Sequence, residues 1–328
     1  MKPRSLTSLT SLGTAALALI MLAGCASAPI SVPVSDHPGP IPAGMRQFSA
    51  PVEPDSAERP AVTAERGSME SAYGCTLTYE LHEPRPGAVG GEDPAEPDLA
   101  GAPLRQGLVV LGHGFLRDLE TMRGWAVEWA ARGTPTVVVT FCNSSWFSGN
   151  HARNAEDLVA LAEHLRPGRT PVLYGGFSAG GLAALLAAST DERAIGFLGL
   201  DPVDSGELTA TVDSLAMPAL FLYGAPGACN AQSNMLPLMP PAQPRIALRI
   251  PYASHCSFEN PYDEGCEFLC GGVEPEEQAA QVRETIHALA TAWIEAQLGT
   301  SPDSRAVFHR RTLEELERTR RIEIISME

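Results

Sequence analysis

Positive charge is scarce in this sequence. The 328 residues include 23 Lys and Arg but 39 Asp and Glu, which gives a formal net charge of −16. A protein this acidic repels nucleic acid and anionic lipid headgroups, so the composition predicts neither as an electrostatic partner. With 44% hydrophobic and 19% charged residues, the chain otherwise has the composition of one globular domain with extensions.

The apolar run near the N-terminus, residues 15–22, is too short for a transmembrane helix, which needs roughly 20 apolar residues. It follows Lys2 and Arg4, as the apolar region of a signal peptide follows its basic region. Residues 22–25, with the sequence Leu-Ala-Gly-Cys, resemble the lipobox of bacterial lipoproteins. The alternative is an ordinary signal peptide cleaved at residues 26–28, Ala-Ser-Ala.

The lipobox resemblance implies that residues 1–24 are a signal peptide and that lipid on Cys25 anchors the protein in a bacterial cell envelope. Ala26 after the cysteine favours the outer membrane. Loss of the two basic residues moves the net charge to about −18, so attachment would depend on the acyl chains and not on a basic patch. The proline-rich residues 25–70 predict a semi-extended, lipidated tether.

Six cysteines remain besides Cys25, an even number that predicts disulfides in an exported protein. Sequence alone leaves 15 pairings open for six cysteines. A zinc site is the competing interpretation, because the spacing of Cys266 and Cys270 suits a ligand pair. No second pair with finger-like spacing follows, so we expect no metal. The six are Cys75, Cys142, Cys229, Cys256, Cys266 and Cys270.

Strand and helix patterns alternate from Cys75 onward. This alternation predicts an α/β domain over residues 71–299, with a mostly parallel central sheet and helices on both faces. Residues 84–105 read as a surface loop, and the charge-dense residues 300–328 as a solvated or partly disordered tail, with a partner-binding helix as the alternative. The predicted strands are 76–81, 108–111, 136–141, 171–174, 195–200, 219–223 and 246–250, and the predicted helices are 118–131, 152–165, 182–188 and 276–298.

Residues 176–180 read Gly-Phe-Ser-Ala-Gly between a predicted strand and a predicted helix. That order is typical of a nucleophile elbow, a turn so sharp that side chains two residues before and after the serine would collide. Glycine at 176 and 180 removes those side chains and tolerates the strained backbone. The pattern therefore predicts Ser178 as a nucleophile exposed at the tip of the turn.

A serine nucleophile needs a base and a carboxylate that orients the base. After an elbow the expected chain order is serine, acid, histidine, and His255 follows the last predicted strand. No Asp or Glu occurs between Asp213 and Glu259, so the acid is expected at the end of the strand before that gap. Asp201 lies at the tip of that strand and is preferred, with Asp204 as the alternative.

The oxyanion that forms during acyl transfer needs hydrogen-bond donors. We expect the backbone N–H of Ala179, directly after the nucleophile, and that of Phe115, after the strand at 108–111. The Phe115 ring would form one wall of the acyl pocket, and His113 is expected to be a structural residue of this turn. Three further residues are pocket candidates with core packing as the alternative, namely Trp146, Met235 and Met239.

Residues 113–115, 176–180 and 199–204, the last reading Gly-Leu-Asp-Pro-Val-Asp, resemble the chlorophyllase-like branch of the α/β-hydrolases, with cutinase-like polyester hydrolases as neighbours. The resemblance covers roughly residues 71–299. It implies a serine ester hydrolase with a small-molecule or lipidic ester as substrate, the acid at Asp201, and neither cofactor nor metal. A non-catalytic lipid-anchored binding protein and an acyltransferase with the same triad are the alternatives.

The same resemblance has consequences for the cysteines. In α/β-hydrolases the second strand lies antiparallel beside the fourth, which implies that Cys75 and Cys142 meet in a disulfide. A bridge from Cys256 to Cys229, Cys266 or Cys270 would fix the loop that carries the histidine.

Overall fold

The structure is a computed structural model. It describes residues 40–49, 62–85, 107–145, 148–208, 215–242, 244–270 and 276–328. Cys25, the rest of the predicted signal peptide and most of the predicted loop at 84–105 lie outside the described residues, so those assignments remain predictions.

Within the described residues, one sheet contains nine strands and a separate ribbon contains two. The strands of the sheet are β1 Val62–Glu70, β2 Thr76–Pro84, β3 Leu108–Gly112, β4 Thr136–Thr140, β7 Val172–Phe177, β8 Ala194–Leu200, β9 Ala219–Tyr223, β10 Arg245–Arg249 and β11 Glu323–Met327, and the ribbon consists of β5 Ser144–Ser145 and β6 Ser148–Gly149. Their order in the sheet is β1-β2-β4-β3-β7-β8-β9-β10-β11. The strands from β4 to β10 in that order run parallel, whereas β1, β2 and β11 pair antiparallel with their neighbours.

Helices cover both faces of this sheet, because its central strands are apolar on both sides. In β3, Val109 and Leu111 enter one core with the helices on one face of the sheet, while Leu108 and Val110 enter the other core with the helices on the opposite face. The predicted α/β architecture is confirmed. The helices are α1 Arg46–Ser49, α2 Arg123–Ala131, α3 His151–Leu165, α4 Ala179–Thr190, α5 Glu264–Cys270, α6 Glu276–Leu298, α7 Ser304–Val307 and α8 Arg310–Arg318.

The region predicted as a tether differs from that expectation. Ile41, Met45 and Phe48 are buried, and α1 packs on α6. Met45 and Phe48 are three residues apart in the helical residues 43–49 and share one face, and Ile41 lies just before that segment. Strand β1 also extends the sheet beyond the predicted start at residue 71; it is mostly exposed and polar, and pairs with β2 through its backbone.

The segment after residue 300 differs as well, since most of it is folded and not a solvated tail. Leu313 and Leu316 of α8 are fully buried, and β11 pairs antiparallel with β10. Arg321 is also buried and donates to Glu284 Oε2 at 2.8 Å. Charged residues are so numerous in this segment that its few apolar side chains form no obvious pattern in the sequence. Those apolar side chains nevertheless share one face of the helix, and that face packs into the core.

Three disulfides join the six described cysteines: Cys75–Cys142, Cys229–Cys270 and Cys256–Cys266. The implied pairing of Cys75 with Cys142 is confirmed. Three disulfides are typical of a protein that folds in an oxidising, exported compartment. Across the described residues, no helix combines the length and the apolar character that crossing a membrane requires.

We expect Leu316→Ala to lower the free energy of unfolding by about 2–5 kcal/mol, because it removes a fully buried side chain and leaves a cavity. Urea denaturation of the full chain measures this change. Glu314→Ala on the exposed side of the same helix is the matched control, expected within about 0.5 kcal/mol of the parent. If both variants changed the free energy of unfolding by the same small amount, the result would favour a solvated tail over a folded segment.

Candidate active site

The turn between β7 and α4 consists of Ser178 alone. Its φ of 55° and ψ of −126° place a non-glycine residue in a strained region. A Cβ added at Gly176 would lie 2.2 Å from the Gly180 carbonyl oxygen, and one added at Gly180 would lie 2.2 Å from the His113 carbonyl oxygen. Glycine at both positions is therefore a steric requirement of the turn that presents the serine.

Ser178 lies within hydrogen-bond distance of the predicted base. His255 Nε2 is 2.9 Å from Ser178 Oγ, and His255 Nδ1 is 2.6 Å from Asp201 Oδ2. Because a carboxylate accepts, Nδ1 carries the proton and Nε2 presents its lone pair to the serine hydroxyl. The structure thus brings together the three side chains that the sequence selected, with Asp201 fully buried.

The carboxylate of Asp201 is held from two directions besides the imidazole. Gly224 N–H donates to Oδ1 at 3.0 Å, and Asn230 Nδ2 donates to Oδ2 at 3.1 Å. Asn230 is fully buried, and its Oδ1 accepts from Gly227 N–H at 2.8 Å. Asn230 was not among the predicted site residues, and its carboxamide in the acid-free stretch between Asp213 and Glu259 was the available signal.

Asp204 has a different role. Its Oδ1 accepts from the backbone N–H groups of Glu207 at 3.2 Å and Leu208 at 3.1 Å. These bonds give the backbone N–H groups of the turn after the strand a hydrogen-bond acceptor, which is a common role for aspartate. Of the two candidate acids, Asp201 is the one bonded to the imidazole.

The two expected oxyanion donors belong to segments that adjoin the serine. Ala179 is the first residue of α4, where a backbone N–H has no partner within the helix. Phe115 follows Gly114, at which a Cβ would lie 3.2 Å from Ser178 Cβ, so glycine lets this loop approach the serine closely. The Phe115 side chain lines a cavity of about 360 Å³ together with Ser178 and His255.

His113 holds the loop after β3 in place. Its Nε2 accepts from the Phe141 backbone N–H at 3.0 Å, so Nδ1 carries the proton and donates to the Gly114 carbonyl at 2.7 Å. Burial lowers the pKa of His113 to about 4, although the bond to Gly114 opposes that shift. A neutral imidazole at this position is consistent with the expected structural role.

An ion pair joins the loop after β3 to the loop that carries His255. Arg117 donates to both carboxylate oxygens of Glu259, at 2.6 and 2.8 Å, and also pairs with Asp263 at 2.7 Å. Burial raises the pKa of Glu259, while the Arg117 guanidinium opposes that shift. This bidentate contact fixes the distance between the candidate oxyanion loop and the candidate base.

Helix α5 brackets the loop that carries His255. Cys266 is bonded to Cys256, directly after the histidine, and Cys270 is bonded to Cys229, directly before Asn230. The sulfurs of Cys256, Cys266 and Cys270 lie within 4.8 Å of one another. All three are oxidised and offer no thiolate, which is the form of cysteine that binds metals.

Helix α5 also makes a polar contact with the residue before His255. Glu267 accepts a hydrogen bond from Ser254 Oγ, and Ser254 and Ser257 cap the short turn that begins at His255. The bracket, defined as α5 with its two disulfides and this contact, therefore fixes the histidine loop on both sides of the imidazole.

Met235 and Met239, two of the three residues predicted as pocket candidates, belong to the core and do not line the cavity. Met235 is fully buried in the core, and Met239 packs against the same core. Neither is among the residues that line the cavity beside Ser178, and Trp146 lies outside the described residues.

No protein-family model matches this chain, and no curated protein matches it. Among solved structures, a ferulic acid esterase from Streptomyces cinnamoneus is similar with a TM-score of 0.57 and 16% identity. The similarity covers 84% of this chain and 99% of that one. The fold is that of an α/β-hydrolase. Within this α/β-hydrolase fold the serine, acid and histidine follow the predicted chain order, after β7, β8 and β10.

We expect His113 to destabilise the fold in acid. Between pH 6.5 and about 4 the unfolded imidazole binds a proton that the folded one does not, because folding lowers its pKa to about 4. Its stabilisation is complete above pH 6.5 and is lost as the pH falls to about 4, amounting to about 3 kcal/mol.

Urea denaturation at several values between about pH 7 and pH 4.5 measures the effect on the free energy of unfolding. His113→Gln removes the titrating group, so the difference between wild type and variant should shrink as the pH falls. A difference that stays constant with pH would contradict this expectation.

Proposed function

We propose that the protein is a serine ester hydrolase that acts through an acyl-enzyme on Ser178. The observation that carries the proposal is the chain of hydrogen bonds from Ser178 through His255 to Asp201 beside a cavity. A serine hydroxyl becomes nucleophilic when a neutral imidazole accepts its proton, and the carboxylate fixes the required tautomer.

The first half of the reaction transfers the acyl group to the enzyme. His255 Nε2 takes the proton of Ser178 as Oγ attacks the ester carbonyl. The oxyanion of the tetrahedral intermediate accepts from the N–H groups of Ala179 and Phe115, each donor worth roughly 3–4 kcal/mol. Collapse breaks the bond to the leaving alcohol, and His255 returns its proton to that alcohol.

Water completes the cycle by the same route. It loses a proton to His255 as it attacks the acyl-enzyme, and the imidazole then protonates Ser178 as the acid product leaves. In both halves Asp201 stabilises the imidazolium, and the donors on Gly224 and Asn230 keep its carboxylate in place. An alcohol in place of water would make the same site an acyltransferase.

The cavity supports a carboxylic ester with an apolar acyl group as the substrate class. Its apolar lining includes Phe115, Leu116, Phe177 and Leu269. The similarity to a ferulic acid esterase and the resemblance of residues 199–204 to chlorophyllase-like enzymes favour ester hydrolysis over other acyl chemistry. We propose that the enzyme belongs to the chlorophyllase-like or cutinase-like branch and that its substrate is an ester other than chlorophyll.

We further propose that the enzyme acts in the bacterial cell envelope, anchored through lipid on Cys25, in the outer membrane. The lipobox-like residues 22–25 and the three disulfides support this location. The acyl chains, and no basic patch, would hold this acidic protein at the membrane.

Hydrolysis of p-nitrophenyl esters of graded chain length by the full chain tests the proposed reaction. Ser178→Ala should lower kcat at least about a thousandfold, and Asp201→Asn by a similar factor, because the imidazole loses its orienting carboxylate. Asp204→Asn is the matched control and should keep kcat within about threefold, since asparagine can still accept the bonds of the turn.

A fluorophosphonate, which labels activated serines, gives an independent readout on Ser178. No turnover together with no labelling would contradict the hydrolase proposal and leave a binding protein with an α/β-hydrolase fold. Labelling without hydrolysis, with acyl transfer to an added alcohol, would identify an acyltransferase.

If the bracket positions His255, loss of its Cys256–Cys266 disulfide should affect kcat more than it affects the free energy of unfolding. Replacing both Cys256 and Cys266 by Ser should lower kcat roughly tenfold or more, because the base loses its fixed geometry. The control replaces Cys75 and Cys142, whose disulfide closes 67 residues instead of 10. Chain entropy predicts losses of about 4 kcal/mol for the long loop and about 3 kcal/mol for the short one.

The two double variants should thus rank in opposite orders for stability and for kcat. Urea denaturation and p-nitrophenyl ester kinetics, at a temperature where both variants are folded, give the two rankings. An equal loss of kcat in both variants would show that the bracket has no particular effect on the base.

A further inference from the structure

Four apolar side chains are exposed around the mouth of the candidate active site. Phe268 is 88% exposed and Leu269 77% exposed, and Phe115 and Leu116 are also exposed. We call these four residues the apolar rim. Leu269, Phe115 and Leu116 line the same cavity as Ser178, so the rim continues the wall of the cavity onto the surface.

Helix α5 carries Phe268 and Leu269, the two most exposed residues of the rim. Of its seven residues, all of them described, Cys266 is the buried one. Two disulfides and the contact of Glu267 with Ser254 attach the helix. A short amphipathic helix normally turns its large apolar residues inward, whereas covalent attachment leaves Phe268 and Leu269 facing solvent.

Exposed apolar side chains that adjoin a binding site mark an interaction surface. We propose that the apolar rim inserts into a fluid, uncharged lipid ester phase and feeds esters from it into the cavity. The feeding step rests on the proposed ester hydrolase function; the insertion step does not.

Charge favours an uncharged phase over an anionic membrane. The chain carries a net charge of −16. Glu264 is exposed and lies four residues before Phe268, on the same face of α5. Any surface that receives Phe268 therefore also meets a carboxylate, which anionic headgroups would repel.

The exposure of the rim favours a fluid phase over a solid one. Phe268 and Leu269 project almost completely into solvent, so a fluid can close around each side chain and bury most of its apolar area. A solid surface would touch one side of each. The proposed occupant is accordingly a neutral lipid ester such as a triacylglycerol.

Binding to triolein emulsion droplets tests insertion. The full chain carries Ser178→Ala, so that it cannot consume the droplets, and Cys25→Ser, so that no acyl chain contributes to binding. Flotation then gives the partition coefficient. Phe268→Ser should lower this coefficient at least about tenfold, because one large side chain is no longer buried.

Val127→Ser is the matched control, because Val127 is 39% exposed on α2 and lies outside the rim and the cavity. It should bind within about twofold of the parent. Circular dichroism confirms that both variants are folded. Equal binding by the Phe268 and Val127 variants would overturn the proposal, as would tighter binding to phosphatidylglycerol vesicles or to solid polycaprolactone particles than to triolein.

Turnover distinguishes the failure of insertion from the failure of the proposed function. For this test the chain keeps Ser178, and its activity is measured on dissolved p-nitrophenyl butyrate and on emulsified triolein. Phe268→Ser should lower the ratio of emulsion to dissolved-ester activity at least about fivefold. An unchanged ratio would overturn the feeding step, whereas no activity on either substrate would overturn the hydrolase function and leave the droplet-binding result to decide insertion.

Discussion

The hydrogen bond between His255 Nδ1 and Asp201 Oδ2, 2.6 Å long, can form only where the loops after β8 and β10 meet. Those strands are not neighbours, because β9 lies between them. The loop after β9 contributes Gly224 and Asn230 to the same carboxylate. Three consecutive strand ends thus converge on one buried carboxylate, whose burial is tolerated because both of its oxygens accept hydrogen bonds.

The parallel register of the central strands makes this convergence possible. All of them point their carboxyl ends to one edge, from which Ser178, Asp201 and the loop of His255 emerge. Apolar cores on both faces keep the strands in register, so the positions of the loops follow from the sheet. The Arg117–Glu259 ion pair and the α5 bracket then restrict the loops that the sheet alone would leave free.

Elements whose residues repeat a clear pattern could be predicted from the sequence. The apolar runs of β3 and β9 and the glycines around Ser178 each have one physical explanation, and the structure agrees with it. The acid could be narrowed to two residues by elimination, but the choice between Asp201 and Asp204 depends on which carboxylate reaches His255 in three dimensions.

The elements that the sequence did not predict have no clear apolar period of their own. Strand β1 is polar and exists through its backbone pairing with β2, and β11 through its pairing with β10. Helix α5 turns one buried residue, Cys266, inward, and two covalent links attach the helix. Local apolar patterns carry little information about such elements, because backbone pairing and disulfides stabilise them.

A bracket made of disulfides exists only where thiols are oxidised. In a reducing cytosol Cys256, Cys266, Cys229 and Cys270 would all be thiols, and α5, with little apolar surface turned inward, would have no covalent hold on the loop of His255. The order of the loops at the candidate site is therefore coupled to the redox state of the surroundings. Oxidation of these four thiols would restore the covalent restraint on the loop that carries His255.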